Sequence, residues 1–284
     1  MKVLVAETCG LCNGAKRTLD GVLKSYKQNK NVTLYKEILH NKNVINSLKQ
    51  MGIKQKDNLE DINKDDYVII RGHGEPISTF KFLESNNIEY LDCTCPNVKY
   101  INLLVKEKSE EGYKIIIVGK KSHPEVIATS GWCDNPILVE EEGDINNINF
   151  NFSKYYLVVQ TTFSTKKAEQ IIDKIKCLMK NGYKEFLYKN TTCNAQKIIN
   201  QSSEKLANKV DAMIVIGGKN SSHTKELYNN LSKVKKTFLI EDVCEVNELI
   251  REKEITSNMT IGITAGASTL KEDILSLENL LKTL

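Results

Sequence analysis

The feature that most constrains the fold is a pattern that occurs three times: a cysteine, a helical segment, a strand and a histidine. The copies run from Cys12 to His40, from Cys95 to His123 and from Cys193 to His223. The histidine follows by 28 residues in the first two copies (12 to 40, 95 to 123) and by 30 in the third (193 to 223). Internal repetition is a direct indication of architecture. Three copies predict three similar α/β units that share one centre.

Helical periodicity and apolar runs alternate along the chain. Leu19, Val22, Leu23 and Tyr26 follow i, i+3, i+4, i+7 spacing and predict a helix over 14–28. The apolar runs predict strands at 2–6, 32–39, 67–70, 88–91, 114–118, 155–159, 186–189, 212–216, 237–240 and 260–263. The polar stretches 57–66 and 140–151 predict loops. Such alternation is typical of parallel α/β sheets.

We therefore predict an α/β fold in which three similar units form a pseudo-threefold arrangement. The expected boundaries are 1–95 for the first unit, 96–192 for the second, and 193–284 for the third unit with a C-terminal helix.

Composition excludes several classes of protein. The chain has 284 residues, 40% of them hydrophobic and 27% charged, with a net charge of +4. This charge is spread out, without a Lys/Arg run of the kind that binds nucleic acid. No stretch is long enough to span a membrane, and the apolar run Val3–Ala6 is too short for a signal peptide. We expect a cytoplasmic protein, in which eight cysteines serve as metal ligands, catalytic groups or buried side chains rather than as disulfides.

Residues suited to chemistry gather where the predicted strands end. All four histidines occupy such positions: His40, His73, His123 and His223. The same is true of Cys12, Cys95 and Cys193, and of Thr161, Thr162, Ser221, Ser222 and Ser268. Ligands of parallel α/β sheets bind beyond the C-terminal ends of the strands. The pattern predicts one functional site built from all three units.

The three repeated cysteines favour an iron–sulfur cluster over zinc. Structural zinc usually takes four ligands from closely spaced pairs, whereas these thiols are 83 and 98 residues apart (12 to 95, 95 to 193). A cubane cluster with three cysteine ligands leaves one iron open for a substrate. For Cys133, Cys177 and Cys244 we favour an ordinary buried role without metal.

Two further cysteines leave the assignment open. Cys9 and Cys12 form a C-x-x-C pair, and Cys93 and Cys95 form a C-x-C pair. Cys12 matches the repeat spacing, and Cys95 directly precedes Pro96, so these two are the favoured ligands. Their neighbours remain candidates for spare or exchangeable ligands.

Two glycine- and serine-containing loops indicate an anion with several oxygens. The segments Gly-Gly-Lys-Asn-Ser-Ser-His (217–223) and Thr-Ala-Gly-Ala-Ser-Thr (264–269) place N–H groups and hydroxyls at helix starts, which favour phosphate. The spacing of a P-loop is absent, so a nucleotide triphosphatase is disfavoured. Together with the histidines the loops favour a bound diphosphate. Glu125, after His123-Pro124, adds a carboxylate for which we favour a role as proton donor or relay.

These segments resemble those of the IspH/LytB family of 4-hydroxy-3-methylbut-2-enyl diphosphate reductases. The matching stretches, in the family's order and over nearly the whole length, are GLCNGAKR, EILHN, RGHGEP, TCPNV, SHPEV, VVQTT, GGKNSSH and TAGAS. The resemblance implies a trefoil of three α/β units around a central [4Fe–4S] cluster with one open iron. Its implied ligands are Cys12, Cys95 and Cys193.

The resemblance also implies roles for the other strand-end residues. The implied substrate-binding residues are His40, His73, His123, Gln160, Thr162, Ser221, Ser222, His223 and Ser268. The implied catalytic residues are Glu125, Thr161 and His123, which organise the substrate hydroxyl and the protons. The implied reaction is a two-electron, two-proton reductive dehydroxylation to isopentenyl and dimethylallyl diphosphate, in the methylerythritol phosphate route of isoprenoid biosynthesis. The implied electron donor is a ferredoxin or a flavodoxin.

The chain departs from the family pattern at four positions in or near this pocket. Gln196 stands where the family usually has Thr, and His223 where it usually has Asn; Cys9 and Cys93 are additional. Two alternatives therefore stay open: a paralogous [4Fe–4S] reductase for a different anionic hydroxylated substrate, and a redox sensor that uses a cluster or zinc.

Overall fold

The structure, a computed structural model, describes residues 1–39, 41–179 and 185–283. Its strands are β1 (Lys2–Val5), β2 (Val32–Tyr35), β3 (Lys54–Lys56), β4 (Tyr67–Ile70), β5 (Tyr90–Asp92), β6 (Lys114–Val118), β7 (Ile137–Val139), β8 (Lys154–Val159), β9 (Glu185–Lys189), β10 (Ala212–Ile216), β11 (Thr237–Ile240) and β12 (Thr260–Ala265). Its α-helices are α1 (Asn13–Lys27), α2 (Lys42–Gln50), α3 (Ile77–Ser85), α4 (Pro96–Glu110), α5 (Pro124–Ser130), α6 (Thr165–Met179), α7 (Asn194–Ala207), α8 (Ser222–Leu231), α9 (Val246–Arg251) and α10 (Lys271–Lys282).

The strands form three parallel sheets of four strands each, which confirms the predicted α/β class. Sheet A has the order β1-β12-β10-β11, sheet B has β3-β2-β4-β5, and sheet C has β7-β6-β8-β9. Every strand pair is parallel. All C-terminal ends within a sheet therefore lie at one edge, so residues from distant parts of the chain meet there. Within the described ranges, no helix is both long and apolar enough to cross a membrane.

The chain divides into two units, neither of which is continuous in sequence. The first unit comprises Met1–Lys16, Leu39–Gly52 and Asn194–Leu284, and it contains sheet A. The second unit comprises Arg17–Ile38 and Ile53–Cys193, and it contains sheets B and C. β1 pairs with β12, so the first strand of the chain lies in the same sheet as the last.

The sheets are buried because helices supply apolar side chains to their faces. In sheet A, Ile214 and Ile216 point to one face, where Leu277 of α10 packs, and Met213 and Val215 point to the other, against α7 and α8. In sheet C, alternate residues of β6 and β8 likewise contact α6 on one side and α4 on the other. Strands covered on both faces require continuous apolar runs, which is why these strands were recognisable in the sequence.

The differences from the prediction lie at short or polar elements. β2 ends at Tyr35 rather than at 39, since Lys36 adopts a left-handed backbone conformation with φ of 63°. β3 and β7 are three-residue edge strands, too short to show a period of two. The polar stretches predicted as loops contain the 3₁₀ helices Leu59–Asp61 and Glu142–Asn147.

Candidate functional site

In each sheet, the repeated cysteine and the polar loops follow strands at the same positions in the strand order. The cysteines of the repeat follow an outer strand of each sheet: Cys12 follows β1, Cys95 follows β5 and Cys193 follows β9. The polar loops follow the two central strands, which are β10 and β12 in sheet A, β2 and β4 in sheet B, and β6 and β8 in sheet C. The sequence repeat thus starts on one sheet and ends on another, because each cysteine leads through a helix to the next sheet's strand.

Each repeated cysteine is fixed by its backbone to the polar loop of a neighbouring strand, and each directly precedes a helix. The cysteine N–H donates to a loop carbonyl oxygen in three parallel cases: Cys12 to Ala267 at 3.0 Å, Cys95 to Gly72 at 2.9 Å, and Cys193 to Thr161 at 2.7 Å. Helix N-termini stabilise negative charge. Each of these thiols therefore occupies a position that suits an anionic ligand.

Glu125 is buried against Thr161, and the two residues share a pair of short hydrogen bonds. The Thr161 backbone N–H donates to Oε1 at 2.6 Å, and its hydroxyl donates to Oε2 at 2.6 Å. Burial raises the pKa of the Glu125 carboxyl to about 7, and the hydrogen bonds from Thr161 offset only part of this effect. The carboxyl therefore gains and loses a proton near neutral pH.

His123 is oriented by the same turn. It is the N-cap of α5, and its Nδ1 accepts a hydrogen bond from the Glu125 backbone N–H at 3.2 Å. Because Nδ1 is the acceptor, the proton of the neutral ring lies on Nε2. The ring meets that of His73 edge to face, with 5.4 Å between centroids. The second unit thus brings together histidines that follow strands of sheets B and C.

Gln160 and Thr162 use their side chains within the loop itself. Gln160 Oε1 accepts from the Lys120 backbone N–H at 2.9 Å, and its Nε2 donates to Thr162 Oγ1 at 2.5 Å. A β-carbon at Gly119 would lie 2.7 Å from the Gln160 β-carbon, so only glycine fits there. These contacts hold the loops after β6 and β8 together around Glu125.

In the first unit, the loops after β10 and β12 form a set of donors. Ser221 is the N-cap of α8, where its Oγ accepts from the Thr224 backbone N–H at 3.4 Å, and Ser222 is the first helical residue. A β-carbon at Gly266 would overlap with the Thr224 side chain, so this glycine lets the two loops touch. Ser268 is buried on the neighbouring loop. Free N–H groups of the first helical turn bind anions.

His223 and two side chains of α7 have buried polar atoms without a hydrogen-bond partner among the described residues. His223 Nε2, Gln196 Oε1 and Asn200 Oδ1 are buried, and none has a hydrogen-bond partner among the residues that the structure describes. Burial lowers the pKa of His223 to about 4, so the ring is neutral at pH 7. Gln196 Nε2 also donates to Glu226 Oε2 at 3.2 Å. Buried polar atoms rarely lack partners, so each of these atoms is suited to contact a polar ligand.

Sequence reasoning missed the residues that hold the histidine loops. Arg71 and Glu75 flank His73 and form a buried ion pair, with 2.8 Å between Nε and Oε1. Lys36 Nζ lies 3.0 Å from the other carboxylate oxygen, and Trp132 Nε1 donates to the Glu75 carbonyl at 3.0 Å. The opposite charges four residues apart in Arg-Gly-His-Gly-Glu were the available signal.

Asn41 is a second supporting residue that sequence reasoning missed. Its Oδ1 accepts from the Val44 backbone N–H as the N-cap of α2, and its Nδ2 donates to the Ser268 carbonyl at 3.1 Å. An asparagine directly before a helical pattern was the available signal. His40, the predicted substrate ligand beside it, lies outside the described residues.

The remaining cysteines differ from the repeated ones. Burial raises the pKa of Cys9 and of Cys93 to about 11, so both remain protonated thiols at neutral pH. The Cys9 thiol donates to the Ala6 carbonyl at 3.5 Å. Cys177 and Cys244 are exposed, so the expectation of a buried role is wrong for these two; Cys177 lies on the outer face of α6.

The surroundings of the individual repeated cysteines suit ligands of an iron–sulfur cluster. In the part of the chain that the structure describes, no three Cys, His, Asp or Glu side chains form a ready-made site for a single metal ion. The features that fit a cluster are the three thiols at helix starts and a side-chain N–H directed at one of them, from Asn97 Nδ2 to Cys193 Sγ at 3.3 Å. Cluster sulfurs are commonly hydrogen-bonded in this way.

Known proteins are similar to this chain in sequence and fold. A family model described as LytB protein matches residues 3–282. A relative from Caldanaerobacter subterraneus subsp. tengcongensis, named 4-hydroxy-3-methylbut-2-enyl diphosphate reductase, is 39% identical over 276 residues, which are 95% of this chain and 92% of the relative.

Two solved structures are also similar to this chain. E-1-hydroxy-2-methyl-but-2-enyl-4-diphosphate reductase from Plasmodium falciparum has a TM-score of 0.86 and 26% identity, over 98% of this chain and 87% of that one. The structure described as (E)-4-hydroxy-3-methyl-but-2-enyl diphosphate reductase, the terminal enzyme of the non-mevalonate pathway, has a TM-score of 0.75 and 32% identity over the whole of both chains.

Proposed function

The chain belongs to the LytB protein family, and we propose that it reduces 4-hydroxy-3-methylbut-2-enyl diphosphate to isopentenyl and dimethylallyl diphosphate. It is an oxidoreductase, as the names of its homologues state. In the net reaction two electrons and two protons enter, the allylic C–O bond breaks, a C–H bond forms and water leaves. The homologues do not favour the alternatives of a redirected reductase or a redox sensor.

The observation that carries the proposed mechanism is the connection from Glu125 through Thr161 to Cys193. The Glu125 carboxyl, with a pKa of about 7, is hydrogen-bonded to the Thr161 hydroxyl. The Thr161 carbonyl oxygen in turn accepts a hydrogen bond from the Cys193 backbone N–H. This arrangement supports a proton source beside a candidate ligand of a redox centre. Reductive loss of a hydroxyl needs both in one place, because protons accompany the electrons.

Family membership implies an iron–sulfur cluster, and we propose the [4Fe–4S] form with Cys12, Cys95 and Cys193 as ligands. When bound, the cluster supplies electrons one at a time and an open iron as Lewis acid. The trefoil of three units around it, with boundaries 1–95, 96–192 and 193–284, is part of the same proposal. The ligand assignment is supported by the position of each cysteine at a helix start.

Proton transfer is the role proposed for Glu125 and Thr161. Near pH 7 a large fraction of the carboxyl is protonated, so it serves as the general acid. The Thr161 hydroxyl, 2.6 Å from the carboxyl, orients the substrate hydroxyl and passes a proton to the leaving water. The hydrogen bond between Gln160 and Thr162 holds the loop around Thr161 in its conformation.

The diphosphate is proposed to bind to histidine side chains, serine hydroxyls and backbone N–H groups. His123 offers Nε2–H, and Ser221 and Ser222 offer hydroxyls and N–H groups at the start of α8. The neutral ring of His223 adds a buried nitrogen. His40, His73 and Ser268 complete the proposed substrate-binding residues. Backbone dipoles at a helix start stabilise phosphate oxygens.

The proposal extends to the partners of the enzyme. The substrate is a small allylic diphosphate, the electron donor is a ferredoxin or flavodoxin, and the location is the cytoplasm; nucleic acid and membrane have no part. The chain offers no nicotinamide or flavin motif of its own, which supports an external donor.

The test is anaerobic turnover of 4-hydroxy-3-methylbut-2-enyl diphosphate by iron-reconstituted protein with a strong chemical reductant. We expect isopentenyl and dimethylallyl diphosphate as products, and loss of both in Glu125→Gln. A protein with a full cluster that does not turn over this substrate would contradict the proposed function, and would direct attention to Gln196 and His223.

A further inference from the structure

At the start of α4, the Asn97 side chain points to Cys193, a cysteine in the segment after β9. Asn97 is the second residue of the helix, and its Nδ2 lies 3.3 Å from Sγ of Cys193. Cys95 is the N-cap of the same helix, and Pro96 is its first residue. One helix end therefore carries one proposed cluster ligand and a hydrogen-bond donor to another.

Asn97 is held in this position by its neighbours. Pro96 fixes the backbone at the first helical position, because its ring allows only a narrow range of φ. Val98 is buried, with 3% of its surface exposed, and anchors the first turn in the core. The Asn97 side chain itself is exposed. Its replacement therefore changes the hydrogen bond to Cys193 with little effect on packing.

The chemical consequence follows from the charge of the sulfur. An amide N–H is a donor and a thiolate is an acceptor, and the bond strengthens as the acceptor becomes more negative. Reduction of an iron–sulfur cluster adds one electron, whose charge is shared with the ligand sulfurs. Hydrogen bonds to those sulfurs are among the factors that set the reduction potential. A donor at Cys193 thus stabilises the reduced form more than the oxidised form.

We propose that Asn97 is a positioning residue that raises the reduction potential of the cluster by donating to the Cys193 thiolate. This inference rests on the proposed function, since it takes Cys193 as a cluster ligand. In the step concerned, a low-potential one-electron donor transfers one electron to the cluster, and no covalent bond forms or breaks. The hydrogen bond makes the cluster easier to reduce for a donor of given potential.

The experiment is an anaerobic redox titration of the reconstituted holoenzyme, followed by electron paramagnetic resonance and visible absorbance. Asn97→Leu removes the donor and covers the sulfur, so that water does not replace the amide. Asn97→Asp keeps the shape but substitutes an acceptor with negative charge. The control is Asn229→Leu, which replaces an exposed asparagine on α8. Iron and sulfide contents are measured in each protein.

We expect equal iron and sulfide in all four proteins and a lower midpoint potential in both Asn97 variants, with Asp lower than Leu. At the midpoint potential of the unaltered enzyme, the ratio of reduced to oxidised cluster falls about tenfold in Asn97→Leu. The Asn229→Leu value stays unchanged. Equal midpoints for Asn97→Leu and the unaltered enzyme, with full clusters and normal turnover, overturn the inference alone. A full cluster in Cys193→Ala overturns the inference together with the ligand assignment.

Discussion

The backbone N–H of Cys193 donates to the carbonyl oxygen of Thr161 at 2.7 Å, and the Thr161 side chain donates to Glu125. One residue therefore connects a proposed cluster ligand with the proposed proton donor. The same kind of bond joins Cys95 to Gly72, beside His73, and Cys12 to Ala267, beside Ser268. The cysteine and donor loops of each sheet are thus fixed to each other by main-chain atoms, whose geometry does not depend on which side chains are present.

The proton held by Glu125 makes a prediction about pH and stability. The folded-state pKa of about 7 is above the ordinary value of 4.5, so this carboxyl contributes stability below pH 4.5 that is lost as the pH rises through 7. The loss is about 3 kcal/mol. Glu125→Gln mimics the protonated acid, so its free energy of unfolding should decline less between pH 5 and pH 8. Urea unfolding of the apoprotein at both pH values measures this, and equal declines in the two proteins would refute a raised pKa.

The cysteine assignment predicts a contrast between two alanine variants. Cys193→Ala should lose most of the bound iron and acid-labile sulfide, because one of three proposed ligands is removed. Cys177→Ala should keep both, since this exposed thiol lies on α6. Iron and sulfide analysis after identical anaerobic reconstitution makes the comparison. Equal cluster content in the two variants is the result that contradicts the assignment.

The raised pKa values of Cys9 and Cys93 predict that neither is a cluster ligand. A thiol with a pKa of about 11 offers little thiolate at pH 7. Cys9→Ala and Cys93→Ala should therefore retain the full cluster, with a loss of stability of about 1 kcal/mol for buried Cys93. The visible spectrum of each reconstituted variant checks this. A visible spectrum of changed shape, in a variant whose thermal stability is unchanged, would show that the replaced cysteine exchanges with a cluster ligand.

The neutral state of His223 predicts proton uptake on anion binding. Burial holds its pKa at about 4, and a bound diphosphate favours the charged ring, so the pKa rises in the complex. At pH 6, pyrophosphate binding should draw a fraction of a proton onto the protein. Calorimetry in two buffers with different ionisation enthalpies measures the uptake. His223→Asn should reduce it, and the same uptake in this variant would assign the proton to another group or to the anion.

The buried ion pair around His73 predicts a stability effect that an exposed pair lacks. Glu75→Gln leaves Arg71 as a buried charge without its carboxylate partner, and should cost about 3 kcal/mol of unfolding free energy. The matched control is Glu111→Gln, which breaks an exposed pair with Lys108 and should leave stability nearly unchanged. Denaturant unfolding compares the two variants. Similar midpoints would mean that the pair does not hold the loop.

The sequence predicted the long, regular parts of the fold well for a clear reason. Strands such as β8 and β10 are covered on both faces and must be apolar throughout. A short run of apolar residues in the sequence therefore marked where each of them begins and ends. β3 and β7 have only three residues each, and the sequence predicted neither of them. The early end of β2 depends on the backbone of Lys36, whose side chain pairs with Glu75 far along the chain.

The sequence by itself determined which residues stand at the ends of strands, because apolar runs and the polar residues after them are local properties. It therefore singled out Glu125, Thr161 and the three repeated cysteines. Only the tertiary structure decided which of them meet, since strand order within a sheet is set by long-range pairing. The pairing of β6 with β8 buries Glu125 against Thr161 and raises its pKa, and the approach of α4 to the end of β9 aims Asn97 at Cys193. Burial and partner, not residue type, give these groups their chemistry.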